Sequence, residues 1–220
     1  MPTPTYWDYL RLPDLLDLQG GLDGEPSPDE LHFIVVHQSF ELWFKLILSQ
    51  LRLAKEHLAA PRVPEERVPF VVHHLGRVNA ILRLCVEQFA VMETLPPQDF
   101  LDFRDKLVPS SGFQSFQMRE MEMVLGLRPD QRIKYAGTDP IAHIRAQATT
   151  PAGQRVVERL DAAMADSTLH AALMAWLRRT PIQGSAPGDA DDPAVVDAFL
   201  GEYLARNEAH QREGIEQLVR

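Results

Sequence analysis

A long apolar segment near the N-terminus, HFIVVHQSFELWFKLIL, places the strongest constraint on the fold of this chain. Apolar residues recur along it at spacings of three and four, the period of one face of an α-helix. That stripe contains Phe33, His37, Phe40, Phe44, Ile47 and Leu51. An ionisable group is costly to bury without a partner, so the histidine in the middle of the stripe needs either a structural partner or a function.

Helix signals continue along most of the chain. Ser27-Pro28-Asp29-Glu30 supplies an N-cap serine, a proline at the first helical position and a glutamate three residues after the cap, and predicts a helix from there to about Leu58. A second helix is predicted at about 66–93, with one apolar face made of Val71, Leu75, Val78, Leu82, Cys85, Phe89 and Met92.

Further helices are predicted in the second half of the chain, with weaker patterns between them. They are a short helix within TLPPQDFLDFRDKL, a helix from FQSFQ to about Leu127, a helix over 151–177 with a break near Ser167, and a last helix over 193–219. Residues 129–150 are predicted to form loops and short helical pieces. Because alternating β-type segments are scarce, we predict an all-α fold, a single-domain helical bundle spanning residues 1–220.

Charge and cysteine content exclude several classes of function. The chain has 22 basic and 31 acidic residues and no basic stripe, which argues against a nucleic-acid partner. Its single cysteine, Cys85, excludes an intramolecular disulfide, a Cys-rich zinc site and covalent c-type haem attachment. The N-terminus lacks a signal-peptide pattern, and no uninterrupted apolar run reaches about 18 residues. We therefore expect a soluble cytoplasmic protein with no membrane partner.

Four positions stand out as candidates for chemistry, each with a plain structural alternative. Arg104 shares a helical face with Phe100 and Phe103, so it needs an anion, either a core carboxylate such as Glu41 or the carboxylate of a ligand. His37 is either a hydrogen-bonded core residue or a functional one, and the same applies to His210. The Gly112 turn admits a flat group close to the backbone but is also an ordinary helix-breaking turn.

Three segments together resemble a known family. TYWDYLRLPDLL, LHFIVVHQSFELWFKLIL and FLDFRDKLVPSSGFQSFQMREMEMVLGL occur in the order and near the intervals found in tryptophan 2,3-dioxygenases. The resemblance covers about residues 5–127 and then the last helix. It implies a haem b iron bound by one histidine, with dioxygen and an aromatic amino acid on the open side, in a haem pocket between long helices. The implied reaction inserts both oxygen atoms across the indole 2,3 bond to give N-formylkynurenine, a step of tryptophan catabolism in the kynurenine pathway.

The resemblance also implies roles for individual residues. His37 would be the distal histidine near the indole N–H, with Phe33 packed against the ring. Arg104 would bind the substrate carboxylate. The remaining pocket residues implied by the family are Phe100, Phe103, Ser111 and Gly112.

Two implied features involve the ends of the chain. His210 is the best positional match to the family's proximal haem ligand, with Gly214 leaving room for the porphyrin, and His143 and His170 are possible substitutes. Residues 1–26 would form an arm that contacts a neighbouring subunit in a homotetramer built as a dimer of dimers. The arm residues that match the family are Tyr6, Tyr9 and Leu10.

Three departures from the family pattern leave alternatives open. Phe100 stands where the family usually has tyrosine, and Arg206 stands where a tryptophan usually precedes the haem histidine. The family's Gly/Thr-rich loop would fall beyond Arg220, so we expect a chain that is short or divergent at its C-terminus. The alternatives to a dioxygenase are a haem-dependent monooxygenase of tyrosine or a modified tryptophan, and a non-catalytic helical protein that binds haem or an aromatic ligand.

Overall fold

The fold is known from a computed structural model, which describes the backbone of residues 3–108, 111–134 and 137–219 and the side chains as far as residue 212. Those ranges contain α-helices, short 3₁₀ turns and one isolated bridge, and no β-strand, so the all-α prediction is confirmed. The helices are α1 (Tyr6–Leu10), α2 (Leu12–Leu16), α3 (Pro28–Ala59), α4 (Val68–Met92), α5 (Pro97–Leu107), α6 (Phe116–Leu125), α7 (Pro140–Gln147), α8 (Pro151–Ala165), α9 (Leu169–Arg179) and α10 (Asp192–Val219).

Helix α3 begins and ends as its sequence signals predict. The Ser27 hydroxyl accepts a hydrogen bond from the backbone N–H of Glu30, and Pro28 occupies the first turn. Asp29 and Glu30 place negative charge at the positive end of the helix dipole. The 32-residue helix ends at Ala59, one residue past the predicted end.

Packing of α3 against α4 and α6 forms the main core. On α3 the fully buried apolar side chains lie in its second half, apart from Val36, while the predicted stripe residues from Phe33 to Phe44 are only half-buried. The buried apolar residues of these two long helices are Val36, Ile47, Leu48, Leu51, Ala54, Leu58, Val71, Val78, Ile81 and Cys85.

The apolar face predicted for α4 is buried at Val71, Val78 and Cys85, but two of its residues are exposed. Leu82 and Phe89 are 41% and 56% exposed, whereas Ile81 is buried. Adjacent residues lie about 100° apart around a helix, so a contact face rotated by one position exchanges the two. Phe89 nevertheless keeps a ring contact with Phe40 at 5.2 Å between centroids.

A second core cluster lies between α6, α7 and α8. It is made of Met123, Ile141, Ile144 and Leu160. Helix α7 falls within the segment for which the sequence predicted only short pieces. Its N-cap Asp139 accepts a hydrogen bond from the Ile141 N–H at 3.0 Å, and Pro140 follows the cap. The predicted break near Ser167 is confirmed, since α8 ends at Ala165 and α9 begins at Leu169.

The chain divides into two compact units, Met1–His170 and Ala171–Arg220. In the second unit, α10 follows a tight turn in which Ile182 and Ser185 exchange backbone hydrogen bonds of 2.8 and 2.9 Å. Ser185 also donates its hydroxyl proton to Asp192 at the start of α10. The single-domain organisation inferred from the sequence stays a prediction.

Helix α3 alone, among the described helices, has the length and apolar composition that a membrane span requires. Its best 18-residue window has a mean hydropathy of 1.2, and the helix packs on α4 and α6. A core helix of a globular protein passes the same length and composition test, so this single helix does not indicate a membrane protein.

Candidate functional site

Four aromatic rings from α3 and α5 form one cluster, here called the aromatic cluster: Phe33, His37, Phe100 and Phe103. The centroid of the Phe33 ring lies 4.0 Å from that of His37, 5.8 Å from that of Phe100 and 5.6 Å from that of Phe103. Phe100 and Phe103 meet edge to face at 5.4 Å. Phe103 is fully buried, while the other three rings are half-buried.

A hydrogen bond within α3 shows which ring nitrogen of His37 is the donor. Nδ1 of His37 lies 2.8 Å from the carbonyl oxygen of Phe33, one turn earlier. Because a carbonyl only accepts hydrogen bonds, Nδ1 is the donor, and the tautomer with its proton on Nδ1 leaves Nε2 as an acceptor. The bond to the Phe33 carbonyl is the one hydrogen bond that His37 forms through its ring with the described residues. His37 can therefore accept a proton or an N–H hydrogen bond from a ligand.

Arg104 places a guanidinium group beside the aromatic cluster. Its guanidinium carbon lies 5.8 Å from the centroid of the Phe100 ring, within the range of a cation–π contact. Arg104 is half-buried and forms no ion pair with the described residues. The structural partner considered from the sequence, Glu41, instead accepts a hydrogen bond from Gln117 at 2.8 Å. The guanidinium thus remains available to an anionic ligand.

Ser111 and Gly112 lie in the 3₁₀ turn Gly112–Gln114 that precedes α6. The Ser111 hydroxyl caps this turn by accepting from the Phe113 N–H at 3.3 Å, and Gln114 bonds back to the Ser111 N–H at 3.0 Å. A Cβ atom added at Gly112 would meet no other atom within 4 Å. The open space beside Gly112 is compatible with the wall that the resemblance implies, but no described contact joins these two residues to the aromatic cluster.

Tyr6, Tyr9 and Leu10 lie on α1, and the structure does not bring them to the aromatic cluster. Their side chains are 71%, 82% and 42% exposed. Helix α1 is held by a local capping box in which Thr5 and Asp8 bond to each other's backbone. Its aromatic side chains therefore have no cover among the described residues of this chain.

Sequence reasoning missed the polar contacts that hold α6 against α3 just beyond His37. Gln117 is buried and donates from Nε2 both to the backbone oxygen of Glu41 at 2.7 Å and to its carboxylate. Glu41 lies one turn after His37 on the same face of α3, and this i, i+4 spacing is the signal that would have pointed to it. The contact ties the start of α6 to the part of α3 that carries His37.

Two kinds of site other than the aromatic cluster are a surface cavity and a cluster of metal-binding side chains. A cavity of about 310 Å³ is lined by Pro129, Asp130, Arg132, Lys134, Asp139 and Pro140, none of which belongs to the aromatic cluster. The described residues contain no group of three or more His, Cys, Asp or Glu side chains able to hold a metal ion. A haem iron can be held by a single histidine, so the absence of larger groups among these residues does not bear on haem binding.

The family sequence model described as tryptophan 2,3-dioxygenase matches residues 2–213 of the chain. The chain belongs to the tryptophan 2,3-dioxygenase family. It is 39% identical to "Tryptophan 2,3-dioxygenase 2" of Ralstonia nicotianae over 225 aligned residues, a match that covers 100% of this chain and 59% of that protein.

Other family members give a similar picture. Tryptophan 2,3-dioxygenase of Sorangium cellulosum is 42% identical over 202 residues, covering 90% of this chain and 48% of the relative. The enzyme of Anopheles gambiae is 37% identical over 179 residues, covering 80% and 44%. The chain thus spans about half the length of the curated tryptophan 2,3-dioxygenases that it matches.

His210 carries the type of side chain, an imidazole, that can bind a haem iron. The imidazole lies on α10, is exposed and forms no hydrogen bond with the described residues. Tyr203 on the same helix is 56% exposed, and its ring stacks on that of Phe199 at 6.3 Å. The described residues of α10 thus place an exposed imidazole and a separate pair of stacked aromatic rings on one helix. Gly214 lies outside the described side chains.

Proposed function

We propose that this protein oxidises an aromatic amino acid with dioxygen in a haem-dependent reaction, and that its substrate is L-tryptophan. One observation carries the proposal: a free acceptor nitrogen on His37 and a guanidinium without an ion pair on Arg104 flank the same set of phenylalanine rings. An aromatic amino acid has the complementary groups, a flat apolar ring, a ring N–H and a carboxylate.

Each residue of the site would bind a different part of the amino acid. Arg104 would hold the substrate carboxylate through a two-pronged hydrogen bond, which would give its charge the partner that the described residues do not supply. Nε2 of His37 would accept the indole N–H, since Nδ1 is already bonded to Phe33. The half-buried rings of Phe33 and Phe100 would pack on the indole ring and keep water from the reacting carbons, and the buried Phe103 would support both rings from behind.

Haem b, when bound, would supply the activation of dioxygen, and His210 is the residue that we propose to hold its iron. With dioxygenation as the reaction, the indole C2–C3 bond breaks, each carbon gains one oxygen atom of dioxygen, and N-formylkynurenine results. His37 would orient the indole by a hydrogen bond to its nitrogen throughout.

The relatives' names favour dioxygenation over hydroxylation, which was the alternative raised by Phe100. The remaining parts of the proposal follow the family resemblance. They are assembly into a homotetramer through the arm of residues 1–26, and a cytoplasmic location within tryptophan catabolism. The exposed tyrosines of α1 support the first of these.

Product mass tests the proposal. The haem-supplemented protein is incubated aerobically with L-tryptophan under ¹⁸O₂, and the product is analysed by mass spectrometry. We expect a product that has gained two labelled oxygen atoms. A product with one added atom would indicate a hydroxylase, and turnover of L-tyrosine in preference to L-tryptophan would assign a different substrate. No product from either amino acid with the haem bound would overturn the catalytic proposal.

A further inference from the structure

Helix α5 carries Phe100 and Arg104, yet it is lightly held. Of its eleven residues only Phe103 is fully buried. It packs mainly on α3, and the segments on either side of it are loops. A helix with so few buried side chains opens locally at low free-energy cost unless polar contacts fix it. The position of Arg104 therefore depends on whatever fixes α5.

Lys106, two residues after Arg104, forms the polar contacts that join α5 to the rest of the unit. Its ammonium nitrogen lies 3.0 Å from Oε2 of Glu30 and 3.1 Å from Oδ2 of Asp23. The Glu30 side chain is only 5% exposed, and Lys106 is its ion-pair partner among the described residues. A buried carboxylate requires such a partner, so the contact with Glu30 is more than a surface ion pair.

Glu30 is itself held between Lys106 and the loop that precedes α3. Gly21 in that loop has a backbone φ of +65°, a conformation that favours glycine. A Cβ atom at Gly21 would lie 3.2 Å from Oε1 of Glu30. One carboxylate oxygen of Glu30 thus packs against the loop backbone while the other accepts from Lys106, which leaves the carboxylate little freedom to move.

The same loop is tied to α3 beside His37. Gln38 donates from Nε2 to the backbone oxygen of Leu18 at 2.9 Å, and Gln19 donates to Oε1 of Gln38 at 2.6 Å. The loop therefore contacts α3 at Glu30 and at Gln38, and it contacts α5 through the Asp23–Lys106 pair. The hydrogen bonds that the ammonium group donates to Glu30 and then to Asp23 raise the pKa of Lys106, so the contact persists through neutral pH.

We propose that Lys106 is a positioning residue, which locks α5 onto the first turn of α3 and the preceding loop and so sets the distance between Arg104 and His37. The structural part of this inference stands on the ion pairs alone. Its consequence for substrate binding rests on the proposed function of Arg104 and Phe100.

Hydrogen–deuterium exchange of the full chain tests the structural part. In Lys106→Met, which keeps most of the side-chain length but removes the charge, the backbone amides of residues 98–107 should exchange roughly two- to fivefold faster than in the wild type. Lys106→Arg should restore the slower rate. Arg145→Met is the matched control, because Arg145 pairs with Asp161 between α7 and α8 at a similar exposure and lies outside α5. Unchanged exchange in α5 of Lys106→Met would overturn the inference.

Calorimetric titration with L-tryptophan tests the consequence and separates the two proposals. In Lys106→Met we expect the dissociation constant to rise by roughly tenfold, as for a displaced binding group. Arg145→Met should bind like the wild type. A loosened α5 with an unchanged dissociation constant would overturn the positioning role. A wild type that binds no tryptophan, with α5 still loosened in Lys106→Met, would overturn the proposed function and support the lock.

Discussion

Arg104 has the clearest unmet electrostatic requirement in the candidate site. Its guanidinium contacts the Phe100 ring and has no carboxylate partner among the described residues. Replacing it with alanine should weaken L-tryptophan binding by about 2–5 kcal/mol, the range for removing one partner of a desolvated charge pair. The dissociation constant can be measured by calorimetry. Arg83→Ala, which removes an exposed cation of α4, is the control, and equal affinities in the two variants would assign Arg104 a structural role.

The sequence predicted the members of the aromatic cluster because they follow helical spacing. Phe33 and His37 are four residues apart, and Phe100, Phe103 and Arg104 share one face of the next predicted short helix, so each set is fixed by local geometry. The expectation that the two sets lie close together was implied by the family resemblance and could not be obtained from periodicity. The lock by Lys106 could not be foreseen, because it joins residues 76 positions apart.

The Glu120 carboxylate on α6 connects that helix to α3 and α8. This carboxylate is 1% exposed and accepts from Nε of Arg159 on α8 at 2.6 Å and from Arg52 on α3. Glu120→Ala should lower the free energy of unfolding by about 1.5–3 kcal/mol, the range for hydrogen bonds to charged groups. Both arginines are partly exposed and can turn to water, which keeps the loss moderate. Urea unfolding measures it, and an unchanged midpoint would show that the network adds no stability.

A group of imidazoles between α3 and α4 should make stability depend on pH. Oε1 of Gln50 lies 2.9 Å from Nδ1 of His74 and 3.0 Å from Nη1 of Arg77, and the His57 ring stacks on that of His74 at 5.7 Å. Burial, then the nearby charges of His57, His73 and Arg77, lower the pKa of His74 from its ordinary value of 6.5. As the pH falls through 6.5, His74 therefore binds a proton more readily in the unfolded chain than in the folded protein.

Acidification should thus reduce the urea midpoint below pH 6.5, whereas the midpoint should be insensitive to this histidine above that pH. His74→Gln should flatten the dependence, and His210→Gln, an exposed histidine of the second unit, should not. Identical slopes for the wild type and His74→Gln between about pH 7 and pH 5 would contradict this assignment.

Helix boundaries were more predictable than helix faces. Capping residues define the start of α3 through Ser27 and the start of α8 through Thr150, and both are local signals. The buried face of α4 depends on its partner, so the choice between Ile81 and Leu82 could not be made from periodicity alone. Helix α7 is one of the short helical pieces predicted within residues 129–150, but its bounds could not be predicted because its apolar pattern spans only eight residues.

The N-terminal arm has large aromatic side chains that are exposed to solvent in the described part of one chain. Tyr6 and Tyr9 are 71% and 82% exposed. If they dock on a neighbouring subunit, the double variant Tyr6→Ser and Tyr9→Ser should shift the protein from tetramer towards smaller species in light scattering after size exclusion. Ile133→Ser, which changes an exposed apolar residue outside the arm, should leave the mass unchanged. An intact tetramer in the double variant would show that the arm does not contribute to the subunit interface.

We propose that this protein binds haem through His210 and an aromatic amino acid through His37. The visible absorption spectrum tests it most directly, recorded for the haem-supplemented wild type, His210→Ala and His37→Ala, before and after dithionite and L-tryptophan. We predict a Soret band in the wild type and in His37→Ala but not in His210→Ala, and a shift of the ferrous band when L-tryptophan is added to the wild type. An unchanged haem content in His210→Ala would assign the iron to another ligand, and a wild type without a Soret band would contradict the account.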